Sequence, residues 1–129
     1  MHPNLMVVFV CEHGAAKSVL AAAYFNQLAS EMGTNLRAVA RGTNPDNQLS
    51  PQAIKGLSED GLTPTESVPQ KLTEADLQSA QRVVTFCELP TEYRGQAIVE
   101  YWDDVPPVSE SYEQARDVLV ERLRQMLKR

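Results

Sequence analysis

Apolar residues along the chain fall into short unbroken runs that alternate with longer helical stripes. Leu5 to Val10 is a continuous, β-branched-rich run, the pattern of a strand buried on both faces rather than one with a wet face. Leu36 to Ala40, Arg82 to Phe86 and Ile98 to Tyr101 read as three further short strands. Between the first two, Leu20, Tyr24 and Leu28 lie on one stripe and Ala21, Phe25, Ala29 and Met32 on the next. That spacing predicts a helix from Ser18 to about Met32, ended by Gly33, with Ala21, Ala22 and Ala23 small enough for close approach to a sheet. Ser50-Pro51 opens a second helix, with Ala53, Ile54 and Leu57 as its apolar face and Gly61 as its stop. Thr73, with Asp76 three residues on, opens a short helix through Ala80 in the manner of a capping box. Ser111 and Gln114 cap a last helix whose Tyr112, Ala115, Leu119, Leu123 and Met126 should face the sheet, with Lys128 and Arg129 at its negative end. The order strand, helix, strand, helix, helix, strand, strand, helix predicts a three-layer α/β fold with a mostly parallel sheet.

The 129 residues suit a single domain, 1–129, and show no repeat or linker that would divide it. A net charge of −5 argues against broad binding to nucleic acid or to an anionic membrane. No stretch is long enough to span a bilayer, and Met1 to Asn4 lacks the basic region of a signal peptide, so a cytoplasmic location is expected. Two cysteines, Cys11 and Cys87, do not make a disulfide scaffold, and with two histidines they make no zinc set. No metal or cofactor is expected, and the cysteines are a candidate redox pair.

Chemistry concentrates where the first strand ends. After Cys11 and Glu12 come His13, Gly14, Ala15 and Ala16, and the last three are small enough to let successive backbone N–H groups turn inward as an anion-binding nest. The helix that follows points its positive end at that nest. Lys17 stands in the first turn of that helix, where a cation is disfavoured unless an anion holds it. Cys11 beside Lys17 and a helix N-terminus has surroundings that favour a nucleophilic thiolate, and Glu12 should face solvent. The bland alternative makes Cys11 a small buried hydrophobe and Lys17 a solvated charge. Arg41 has two readings as well: a cation reaching toward the anion pocket, or a solvated surface arginine.

The stretch Cys11 to Ser18 resembles the C-x5-R-S loop of the low-molecular-weight protein-tyrosine phosphatases and of the arsenate reductases that share their fold. The resemblance implies a flavodoxin-like parallel sheet of four strands in the order 2-1-3-4, with helices on both faces. It puts Cys11 at the nucleophile, Ser18 at the hydroxyl that steadies the thiolate, and Lys17 where the family has a phosphate-clamping arginine. A planar fork is thereby replaced by one mobile point charge. His13 and Gly14 occupy positions where the family usually carries Gly and Asn. The family's general acid is an aspartate in an Asp-Pro pair. Aligned by Trp102 and Pro107, this chain has Pro106 there, which leaves Asp104 or Asp103 just upstream as the acid, or as ordinary turn residues. The run RVVTFC, ending at Cys87, resembles the strand where thioredoxin-linked reductases carry a resolving cysteine; Cys87 reads equally as a buried residue closing a core strand.

Three functions follow from the resemblance: a phosphatase that hydrolyses a phosphocysteine on Cys11; an arsenate reductase that leaves a disulfide and arsenite; and a binder of phosphate-like anions that does not turn over. The implied partners are phosphate, arsenate or a phosphorylated protein, with thioredoxin or a small thiol as reductant for the second.

Overall fold

The computed structural model describes residues 6–89 and 99–128. Strand β1, Met6–Cys11, is followed by α1, Lys17–Glu31; β2, Arg37–Gly42; α2, Pro51–Glu59; α3, Glu74–Ser79; β3, Ala80–Thr85; β4, Val99–Tyr101; and α4, Tyr112–Leu127. Leu5, Ile98 and Arg129, expected in or beside these elements, lie outside the described residues. All pairings are parallel and the strand order is β2-β1-β3-β4, as the resemblance implies.

Residues Val7 to Val10 are fully buried, because β1 is an inner strand covered on both faces. Val7, Phe9 and Cys11 face a core shared with α1, α2 and α4, through residues such as Phe25, Leu57 and Leu119. Val8 and Val10 face a smaller core with Leu72, Leu77, Val83 and Leu89, beneath the six-residue α3. The two faces are thus unequally covered. Phe9 anchors the larger core, packing edge-on to Phe25 at 5.8 Å between ring centroids and stacking with Phe86 at 6.4 Å.

The predicted caps are present. Ser50 accepts from Ala53 N, Ser111 accepts from Gln114 N, and Thr73 and Asp76 exchange both bonds of a capping box. Two expectations need correction. β2 runs on to Gly42 because Cys11 pairs with Gly42, and Gly42 also bonds Gln70 O and Leu72 N. Ile54 is 43% exposed; the buried face of α2 is Ala53, Gly56 and Leu57. On α4, Ala115, Leu119, Leu123 and Leu127 are buried, Tyr112 and Met126 are half-buried against the same core, and the Tyr112 hydroxyl bonds that of Tyr24 at 2.6 Å. Among the described residues no helix is long and apolar enough to cross a membrane.

Candidate active site

In an open parallel sheet, ligands gather beyond the carboxyl ends of the strands where the order reverses, and here β1, with β2 on one side and β3 on the other, ends at that point on Cys11. The chain then loops through residues 12–16 before α1 begins at Lys17. Gly14 takes φ +62°, which lets the loop turn back on itself, and it packs so tightly on Gly42 that a Cβ on Gly42 would lie 2.7 Å from Gly14 N.

The loop is held by its carbonyls. Those of Cys11, Glu12, His13 and Ala15 accept from the backbone N–H groups of Thr43, Asn44, Asp46 and Ser50, at 2.7 to 3.2 Å. None of the N–H groups from Glu12 to Ala16 donates to an acceptor among the described residues. Carbonyls fastened outward leave the amides facing inward with nothing to bond, which is the arrangement of an anion nest. The N-cap residue Ala16 supplies no side-chain cap and the first turn of α1 has no acidic residue, so its positive end is uncompensated as well.

Cys11 and Ser18 are both buried, with Sγ and Oγ 2.9 Å apart; with the sulfur as thiolate, the hydroxyl donates. Lys17 is half-buried and makes no ion pair with a described carboxylate. Glu12 is exposed, as expected. His13 is 53% exposed on the rim, with Nδ1 3.3 Å from Asp46 Oδ1.

Cys87 lies two residues past the end of β3, beside the same pocket. Thr85 Oγ1 donates to its carbonyl at 2.7 Å and lies 3.6 Å from its Sγ. Burial pushes the Cys87 thiol above the usual range; the Thr85 hydroxyl opposes that, and repulsion from Cys11 and Glu12 adds to it. Both cysteines are free thiols.

Two expected residues are engaged elsewhere. Asp104, proposed from the resemblance as general acid, binds Arg122, whose Nη2 and Nε lie 2.9 and 3.2 Å from its Oδ2, and Arg122 stacks 5.2 Å from the Trp102 ring centre. The hydrogen bond from Arg122 holds the Asp104 carboxyl below the usual range. Arg41 is neither at the anion pocket nor solvated. It is 18% exposed and pairs with Asp76 at 3.1 Å and Glu66 at 3.3 Å, tying β2 to α3.

The residues that hold the loop carbonyls carry no sequence signature. Thr43, Asn44, Asp46 and Ser50 act through backbone N–H groups, which leave no mark on residue type; Gly42, a glycine at a strand end, was the one legible sign.

The family model for low molecular weight phosphotyrosine protein phosphatases matches residues 6–129. A protein-arginine-phosphatase of Bacillus subtilis (strain 168) is 26% identical over 142 residues, covering 95% of this chain and 94% of its own. The solution structure of a low molecular weight protein tyrosine phosphatase from Bacillus subtilis superposes with a TM-score of 0.83 at 25% identity, covering 96% of this chain and 95% of that one. An arsenate reductase from Archaeoglobus fulgidus gives 0.79 at 26% identity, over 95% and 99%.

Proposed function

This chain belongs to the low molecular weight phosphotyrosine protein phosphatase family, and on that premise we propose that it is a cysteine-dependent phosphatase acting on phosphorylated protein, with Cys11 as nucleophile. The observation that carries this reading is the ring of inward, unbonded amides around a thiol hydrogen-bonded to Ser18. Such a ring matches a tetrahedral oxyanion and strengthens its hold as charge develops in the transition state. Cys11 Sγ bonds to phosphorus while the bond to the leaving oxygen breaks; water then cleaves the S–P bond, releasing phosphate and restoring the thiolate. Lys17 adds a positive charge to the equatorial oxygens, and Ser18 steadies the thiolate as leaving group in the second step.

The Bacillus subtilis relative is a protein-arginine-phosphatase, which sets phosphoarginine beside phosphotyrosine as the protein-bound groups to assay. Turnover of p-nitrophenyl phosphate and of both phosphoamino acids in proteins should be abolished by Cys11→Ser. Phosphate binding without turnover by the wild type would instead favour a non-catalytic anion binder.

A second reading rests on Cys87. Its thiol is raised in part by the charge of Cys11, and the two cysteines follow the carboxyl ends of adjacent parallel strands. In an arsenate reductase, Cys11 would form an S–As bond with loss of water, and Cys87 sulfur would then attack Cys11 sulfur. Arsenic leaves as arsenite with two electrons, two thiols become one disulfide, and a thiol reductant such as thioredoxin resets the pair. Stoichiometric arsenate should then remove two alkylatable thiols, read by mass spectrometry. Arsenate that leaves both thiols free defeats this reading.

A further inference from the structure

Three of the four backbone donors that hold the anion loop come from one short run: Thr43 N bonds Cys11 O, Asn44 N bonds Glu12 O and Asp46 N bonds His13 O. Whatever fixes that run fixes the loop. The run leaves the sheet through Arg41 and Gly42 at the end of β2, an edge strand with a neighbour on one side only. The outer side of such a strand presents N–H and C=O groups that must find partners elsewhere. We propose that Arg41, held by Glu66 and Asp76, is a positioning residue that anchors this run and so keeps the loop amides in the geometry of the transition state. The inference rests on the phosphatase reading above and deepens it.

Side chains alternate along a strand, so Arg41 shares the face of Val39, which packs against the smaller core, while Ala38 and Ala40 belong to the larger one. Its guanidinium and both carboxylates are largely out of water: Arg41 is 18% exposed, Glu66 16% and Asp76 14%, with Nη1 3.3 Å from Glu66 Oε2 and Nε 3.1 Å from Asp76 Oδ2. Each carboxylate is bound to backbone as well. Glu66 Oε1 accepts from Ala40 N at 3.3 Å while Arg41 Nη1 donates to Ala40 O at 2.8 Å, so both outward backbone groups of Ala40 join the cluster. Asp76 Oδ2 accepts from Thr73 N at 3.0 Å, which fixes it to the first turn of α3. At the next outward position, Gly42 N donates to Gln70 O at 2.8 Å and Gly42 O accepts from Leu72 N at 2.9 Å.

The anchored backbone bears directly on the loop. A Cβ on Gly14 would lie 3.0 Å from Gly42 N and 3.3 Å from the Arg41 carbonyl carbon, and Gly42 is the register partner of Cys11. Backbone packed on backbone leaves no soft side chain to absorb a shift, so a displaced Arg41 displaces Gly14. Stability is a poor account of the cluster. Replacing a buried ion set by packed hydrophobic residues is often neutral or stabilising. What the planar fork supplies is direction, since it reaches two carboxylates at once from a fixed place.

Arg41→Met keeps the length of the side chain and removes the fork. Per folded molecule, kcat for p-nitrophenyl phosphate should fall ~10-fold or more with KM within ~3-fold, because misplaced amides weaken the transition state more than the ground state. Orthovanadate, which takes five-coordinate geometry on a thiolate, should lose affinity in step with kcat, while inorganic phosphate stays within ~3-fold. Arg41→Lys should recover part of the loss. Glu66→Gln, which keeps an acceptor for Ala40 N, is the milder variant should Arg41→Met not fold, and should move the same quantities in the same direction. Combining Arg41→Met with Gly42→Ala should cost little beyond Gly42→Ala alone, since both act through one contact. If kcat per folded molecule, with the folded fraction read from urea titration, stays at the wild-type value in Arg41→Met and Glu66→Gln, the cluster only stabilises the fold and the proposal is overturned. Fully multiplicative losses in the double variant overturn it too. Nitrogen-15 NMR with inorganic phosphate separates this from the reading beneath it. A wild type that binds phosphate without turnover defeats the phosphatase reading alone, and the anchor then rests on the amides of residues 12–16: a changed phosphate response in Glu66→Gln supports it, and the same response as the wild type overturns it.

Discussion

Lys17 concentrates the question of how well this loop can hold a transition state. Its ammonium is one mobile charge, where a guanidinium would bond two equatorial oxygens at once. A second charge-assisted hydrogen bond is worth about 1.5–3 kcal/mol, so Lys17→Arg should raise kcat/KM for p-nitrophenyl phosphate by ~10-fold or more. A fall in activity with the fold intact would mean that the loop is shaped for lysine and for a different ligand. Gly42 makes a sharper test of the loop as a rigid body. An alanine Cβ there would lie 2.7 Å from Gly14 N, and backbone atoms have to move to relieve it. A shift of ~1 Å in catalytic geometry costs about 10²-fold in rate, so Gly42→Ala should lose at least that much activity while circular dichroism stays native. Cys11, Lys17 and Ser18 were legible in the sequence because they are close neighbours along it. The partners of the loop carbonyls were not, since a backbone donor has no sequence signature.

Individual helices were legible where a cap or an inner face is decided locally, as at Ser50, Thr73 and Ser111. They were misread where the neighbour decides. Ile54 is as large as the buried Leu57, yet it stays exposed while Gly56 is turned inward, with the Tyr112 ring of α4 lying against it. A Cβ on Gly56 would come within 2.2 Å of that ring, which is pinned by its hydroxyl to Tyr24. This reverses an ordinary expectation. In an open helix Gly→Ala stabilises by about 0.5–1 kcal/mol, whereas here the overlap should make Gly56→Ala destabilising by ~1–3 kcal/mol. Urea denaturation measures the sign directly, and a stabilised variant would show that Tyr112 can swing away at no cost.

At the scale of the whole molecule, the buried runs and helical stripes were enough for a layered α/β fold. The strand order came from the resemblance, because run lengths do not say which strands are neighbours. Nor did periodicity reveal what joins the helices on the larger face. Tyr24 and Tyr112 read as members of apolar stripes, but their hydroxyls meet each other, and Tyr24 donates to Asp60, which also pairs with Arg116 at 3.5 Å. One polar cluster therefore ties α1, the end of α2 and α4 together. Burial first, then the bond to Asp60, push the Tyr24 phenol far above its ordinary value, and burial raises Tyr112 as well. Unfolded phenols release their protons near pH ~10, so above that pH the unfolded chain loses protons that the folded chain keeps. The stability the cluster contributes is whole below pH ~10 and drains away above it, by about 1.4 kcal/mol per pH unit for each proton retained. Urea midpoints should therefore fall steeply between pH ~9.5 and ~11 in the wild type. Tyr24→Phe should cost about 1 kcal/mol at neutral pH, through its lost hydrogen bond, and should show a shallower alkaline decline. If the variant and the wild type decline in parallel, the alkaline loss has another source, and the cluster is a surface contact that the three helices can do without.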